Sequence, residues 1–170
     1  MNVLETERLR LRPLTVGDVD EFVALHADGR VSRFVDSYDQ PAALKRLAGV
    51  ERQWIERGHG LCAVLLKESG SFVGRCGLEY WPQFDETEMA WVLRPQAWGR
   101  GYATEAAQAC LEWGFARFPL EYVTAMINSE NTASIAVAER LGFCVLREDV
   151  LGEIPVRVYA LQRPVNGLVR

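Results

Sequence analysis

Two histidines stand among 170 residues, and neither has company suited to metal chemistry. His59 lies between Gly58 and Gly60, the setting of a turn residue, with no second histidine or acid at ligand spacing, so no metal is expected. His26 falls on the apolar stripe of a helical pattern, where packing is the ordinary role and catalysis the minor one. The cysteines Cys62, Cys76, Cys110 and Cys144 are dispersed, lack C-x-x-C spacing and sit in apolar surroundings; they read as reduced packing residues of a cytoplasmic protein. No run approaches the roughly 20 apolar residues of a membrane span, and charged residues follow Met1 where a signal peptide would be apolar, so no membrane association is expected. Basic residues are outnumbered, 19 against 23, for a net charge of −4. That balance argues against a nucleic-acid partner and mildly favours cationic substrates. Repeats, low-complexity segments and interdomain linkers are also missing, leaving one domain over residues 1–170. A chain of this length buries roughly 70% of its unfolded surface and needs no covalent staple.

Two common phosphate motifs are absent as well, although the chain has a phosphate-like turn. The stretch Glu86 to Glu105 reads as a strand ending at Leu93, a stop at Arg94-Pro95, glycines at 99 and 101 around Arg100, and a helix opening near Tyr102. The first amides of a helix have no partner within it and carry the positive end of its dipole, so such a turn favours an anion. Glycine lets the backbone approach that anion and reach positive φ. A Walker A loop is ruled out because Tyr102-Ala103 follows Gly101 in place of Lys-Ser/Thr. A dinucleotide fingerprint fits poorly: counting from Gly99, the sixth position is Thr104, and no acid stands in a strand about twenty residues on.

Elsewhere the periodicities alternate between strand and helix. Strands are expected at Leu9–Arg12, Leu61–Leu66, Phe72–Tyr80, Thr87–Leu93, Tyr122–Met126, Cys144–Val150 and Val156–Gln162. Helices are expected after a Thr15–Asp18 cap, from Pro41 to Gly58, from Tyr102 to Pro119, and from Thr132 to Leu141 with Gly142 as the stop. Asp28 to Gln40 shows no period, and the apolar end Val165 to Val169 suits either a partner subunit or disorder, so monomer and homodimer both stay open.

Gln96-Ala97-Trp98-Gly99-Arg100-Gly101 matches the Q/R-x-x-G-x-G/A signature, and with it the chain resembles the GNAT acetyltransferase superfamily. The likeness extends through Glu5-Thr6-Glu7-Arg8-Leu9-Arg10-Leu11-Arg12-Pro13, Trp91, Leu93, Gly101-Tyr102-Ala103-Thr104-Glu105-Ala106, Asn128, Asn131, Ser134 and Leu141-Gly142-Phe143. In order and spacing these are similar to the branch that acetylates N-terminal amines of ribosomal proteins. The resemblance implies an α/β (α+β) GNAT fold, a mixed, mostly antiparallel twisted sheet of about seven strands flanked by about four helices. It implies acetyl-CoA as acyl donor and a primary amine as acceptor, with direct attack in a ternary complex.

Residue by residue, the resemblance places the pyrophosphate on Gln96, Trp98, Gly99, Arg100, Gly101, Tyr102, Ala103 and Thr104, with Arg94 and Arg100 as charged partners. Val92 and Leu93 would pair with the pantetheine arm, and an amide near Ala90 to Val92 would polarise the acyl carbonyl. Asn128 and Asn131 would contact the same arm, while Ser134 would face the sulfur; capping the next helix is the ordinary role of such residues. The superfamily's general-acid tyrosine is replaced by Ala138. Glu88, a carboxylate within an apolar strand, is the expected general base, and a cleft-edge salt bridge is its simpler role. An α-amine, with a pKa near 8, is already partly neutral at neutral pH, whereas lysine at about 10.4 is not, so weak base machinery suits N-terminal acceptors. A small amine such as an antibiotic, polyamine or amino acid is the rival acceptor, and a non-catalytic acyl-CoA-binding module the rival from another class.

Overall fold

The computed structural model describes residues 3–165. The elements run β1 (Leu4–Glu5), β2 (Leu9–Pro13), α1 (Val19–Ala27), α2 (Gly29–Ser32), α3 (Gln40–Arg57), β3 (Leu61–Leu66), β4 (Phe72–Trp81), β5 (Glu86–Leu93), α4 (Tyr102–Arg117), β6 (Tyr122–Asn128), α5 (Thr132–Arg140), β7 (Cys144–Leu151) and β8 (Ile154–Gln162). The strands form one eight-stranded sheet in the order β1-β2-β3-β4-β5-β6-β8-β7. Every pairing is antiparallel except β5 with β6. The sheet has one strand more than the periodicity suggests, and there is one extra helix. β1 has two residues and α2 four, both too short to show a period. The apolar end Val165 to Val169 lies, past Val165, outside the described residues.

Alternation sorts the sheet's side chains onto two faces. One face joins Leu9, Leu11, Val64, Cys76, Leu78 and Met89 to Ala106, Ala107, Cys110 and Leu111 of α4. The other joins Leu14, Leu61 and Ala63 to Phe22 and Leu25 of α1 and Ala43, Leu47 and Val50 of α3. Glycine sets the spacing where packing is tightest. A Cβ at Gly74, whose φ is +155°, would come 2.2 Å from the Val92 carbonyl, and one at Gly114 would come 2.3 Å from Leu78 Cδ1. Three of the cysteines, Cys62, Cys76 and Cys110, are buried in the first core, while Cys144 is exposed, unlike its expected apolar setting. His59 keeps the turn expected of it, in the connection between α3 and β3, yet it is not a surface residue. It is buried, with Nδ1 3.0 Å from the Leu78 carbonyl and its ring edge-on to Phe118.

The parallel seam positions the site. β5 and β6 share a single bridge, Glu88 with Thr124, and then part. The Arg94 amide donates to Val73 at 2.8 Å, and the β4–β5 register is unbroken from Gly74–Leu93 to Trp81–Glu86. The backbone groups of Ala90 and Val92 therefore face β4, and those of Met89, Trp91 and Leu93 face the gap toward β6. Continued pairing would send the Met126 amide to the Met89 carbonyl; it donates instead to Glu88 Oε1 at 3.1 Å. A wedge between the strands is left, with the Trp91 and Leu93 amides on one wall.

Candidate active site

The glycine turn forms as its sequence requires. Gly99 and Gly101 adopt φ of +70° and +79°, a region that side chains with a Cβ avoid, and Gly101 caps α4. The turn is braced from the N-terminal segment. Arg8 pairs with Glu105 at 2.6 Å, donates to the Arg100 carbonyl at 2.8 Å and stacks on Tyr102, while Thr6 Oγ1 donates to Glu105 at 2.5 Å. Thus the Thr6-to-Arg8 portion of the opening motif holds the first turn of α4 rigid. The amides of Tyr102, Ala103 and Thr104 have no partner within the helix and so stay available to an anion. They edge a cavity of about 880 Å³ between α4, α5 and the end of β5.

Most of the expected donor-binding residues gather there. Val92, Leu93, Trp98, Gly99, Gly101, Tyr102, Ala103, Thr104, Asn131 and Ser134 line this cavity. Arg94, Gln96, Arg100 and Asn128 are not among its walls. Arg94 is ion-paired with Glu21 of α1, and Gln96 and Arg100 are exposed. A cation that the sequence did not single out, Arg140 of α5, lines the cavity and donates to Thr104 Oγ1 at 3.1 Å. Arg30 of α2 lines it as well. The expected part of Val92 changes: its backbone faces β4, opposite Arg75, so the strand groups open to a ligand are those of Trp91 and Leu93. The Leu93 carbonyl is already taken by Trp98 Nε1 at 2.9 Å, which leaves its amide. Asn131 caps α5 by accepting from the Ser134 amide at 3.1 Å, and Asn128 accepts from Glu130 at 2.9 Å. Ala138 is fully buried in the core and touches neither cavity wall.

A second cavity, about 340 Å³, adjoins the first farther along β5, walled by β4, β6 and residues 32–38. Glu88 stands on its wall, accepting from Trp81 Nε1 at 2.5 Å and from the Met126 amide at 3.1 Å. The carboxylate is largely withdrawn from water, and this desolvation pushes its pKa up to about 7. Glu79, directly opposite on β4, raises it further, whereas the two N–H donors and Arg75 pull it down. Arg46, Arg75, Glu79 and Tyr38 line the same cavity. Both cavities share Phe34, Val35, Trp91, Val92, Asn131 and Ser134, so they meet at the end of the wedge.

An anion cradle at a helix start, joined through a strand gap to a cavity holding a carboxylate of raised pKa, is the arrangement of a two-substrate group transferase. The chain belongs to the GNAT acetyltransferase family, whose acetyltransferase (GNAT) domain model matches residues 8–144. It is 30% identical over 173 aligned positions to the protein YkkB of Bacillus subtilis strain 168, covering 92% of this chain and 93% of that one. The acetyltransferase structure from Agrobacterium tumefaciens str. C58 superposes with a TM-score of 0.85 at 33% identity, over 95% of each chain. RimL, a ribosomal L7/L12 α-N-protein acetyltransferase solved with coenzyme A, shares the fold at a TM-score of 0.80 and 18% identity, over 95% of this chain and 98% of that one. The protein is accordingly an acetyl-CoA-dependent acetyltransferase. Among the described residues no helix is long and apolar enough to cross a membrane.

Proposed function

We propose that the protein transfers the acetyl group of acetyl-CoA to the α-amine at a protein N-terminus. The observation that carries this reading is Glu88 on the wall of the second cavity, its pKa pushed up to about 7. A base of that strength is better matched to an α-amine near 8 than to lysine at about 10.4. The fold shared with RimL supports the same acceptor class by analogy.

In this reading the amides of Tyr102, Ala103 and Thr104, with Arg140 beside them, hold the pyrophosphate of the donor. The thioester, once bound along the wedge, supplies an activated acyl carbon. The Trp91 amide donates to its carbonyl oxygen, a kind of contact worth about 10²- to 10³-fold in rate. Glu88 takes the amine proton, directly or through water, and Ser134 donates a hydrogen bond toward the departing sulfur. A thiol of pKa near 8.5 departs without a strong acid, which suits an alanine at position 138. The compact second cavity, about 340 Å³, favours a second reading in which the acceptor is a small amine.

Release of CoA thiol from acetyl-CoA separates the two. Peptides with free α-amines, N-blocked lysine peptides, polyamines, amino acids and aminoglycosides form the panel. Turnover confined to free α-amine peptides is the expected result; turnover with small amines alone overturns it in favour of the second reading.

A further inference from the structure

Transfer to a plain amine does not require a buried arginine, yet Arg75 stands in the floor of the acceptor cavity at 8% exposure. Its Nε donates to His26 Nε2 at 3.2 Å, and His26 Nδ1 donates in turn to the Asp36 carbonyl at 2.7 Å. With both ring nitrogens so engaged, burial and the neighbouring guanidinium hold His26 neutral, its pKa brought down to about 3. The histidine therefore orients the arginine without balancing its charge.

The nearby carboxylates already have partners. Glu79 is ion-paired with Arg46 of α3, and Glu88 accepts from Trp81 and Met126. Arg75 Nη1 and Nη2 donate to no described residue, and both keep access to the cavity. A guanidinium stays charged at any ordinary pH, and a charge this deep is strongly favoured to find a hydrogen-bonded counter-ion. Once Glu88 has taken a proton, the cavity wall holds three arginines, Arg33, Arg46 and Arg75, against two charged carboxylates, Asp36 and Glu79. A single negative charge restores the balance, whereas a dianion would crowd Glu79.

We propose that Arg75 receives a carboxylate carried by the acceptor itself, through the paired N–H donors of its guanidinium end. This rests on the acetyl-transfer reading above and narrows it: the preferred acceptor presents an amine with a carboxylate close by. That carboxylate belongs either to a free amino acid or to an acidic side chain at the start of a peptide. Arg75 is thereby a specificity residue, and His26 a positioning residue behind it.

The test compares wild-type kcat/KM, by CoA release, across isosteric pairs: peptides beginning Ser-Asp against Ser-Asn and Ser-Glu against Ser-Gln, and free amino acids against their carboxamides. A charge-assisted bond to a planar guanidinium predicts a preference of about 10- to 100-fold for the carboxylate in one family of pairs, and that family identifies its source. Arg75→Gln should bring the ratio near one with the acetyl-CoA Kd retained, and Arg75→Lys should restore part of it. If these variants fail to fold, the wild-type ratios still decide. Turnover with ratios near one throughout overturns the proposal and leaves the acetyl-transfer reading standing. If no amine is turned over, that reading fails, and melting of the wild type with N-acetyl amino acids decides the carboxylate site. Stabilisation by the acids but not by their amides supports the site; equal effects refute it.

Discussion

Replacing Glu88 by glutamine probes the most heavily perturbed carboxyl of the acceptor cavity. Its pKa lies near 7 in the folded protein against 4.5 as an ordinary glutamate. An acid whose pKa rises on folding stabilises the protein fully below the unfolded value and loses that contribution as pH climbs through the folded one. The linkage amounts to about 3 kcal/mol at high pH, of which about 2.5 kcal/mol develops between about pH 5 and pH 8. Glutamine cannot ionise, but its NH2 group must face one of the two N–H donors that the carboxylate satisfies, at a cost of about 1–3 kcal/mol. The variant should therefore be less stable than wild type near pH 5 and gain on it by about 2–3 kcal/mol by pH 8. Urea unfolding at the two pH values measures this difference. In parallel, the wild-type rate of CoA release should rise with pH through an apparent pKa near 7 and keep that midpoint when the acceptor amine's own pKa is varied. Glu88→Gln should flatten this limb and lower the rate by about 10²- to 10⁴-fold. A stability difference independent of pH, or a limb that follows the acceptor's pKa, would refute the assignment.

Gly101→Ala puts a Cβ where φ is +79°, 3.4 Å from Arg8 Nη2, and should destabilise the fold by about 1–2 kcal/mol. Because the strain falls on the cradle, the Kd for acetyl-CoA by calorimetry should weaken more than the acceptor KM does. Ser134→Ala should lower kcat by about tenfold, in keeping with the loss of one hydrogen bond, without altering acetyl-CoA affinity. An unchanged kcat would remove Ser134 from the chemistry and leave it as a residue of the α5 cap.

What was readable before folding was what neighbours in the chain decide among themselves. The turn at Gly99-Arg100-Gly101 follows from glycine spacing between a strand and a helix, and Glu88 stands out as an acid on a strand that continues in the apolar run Met89 to Leu93. Arg94 shows the limit: beside the signature it looks like a phosphate ligand, but Glu21, from another part of the chain, claims it. Arg140 is hidden for the converse reason, because only the packing of α5 against α4 brings it to Thr104. The acceptor floor needs three elements at once. Arg75 and Glu79 come from β4, Arg46 from α3 and His26 from α1, and nothing in any one stretch announces that they meet. Even the strand parity that selects Trp91 over Val92 depends on the register with β4.

One backbone bridge and two side-chain hydrogen bonds join β5 to β6: the Met126 amide donates to Glu88, and Thr124 Oγ1 donates to the Thr87 carbonyl at 3.4 Å. Along this seam the sheet divides into β1 to β5 and β6 to β8, which also share a core and the Arg147–Glu86 ion pair, and among the described residues Glu88 is the one ionisable group bonded across the β5–β6 gap itself. An ionised carboxylate grips an amide about twice as firmly as a neutral acid does. The hold of one strand on the other thus varies with the proton on that residue. If Glu88 is the base, each catalytic cycle weakens and restores the Met126 bond, so the grip of β6 on β5 and the transfer of the proton are governed by the same charge.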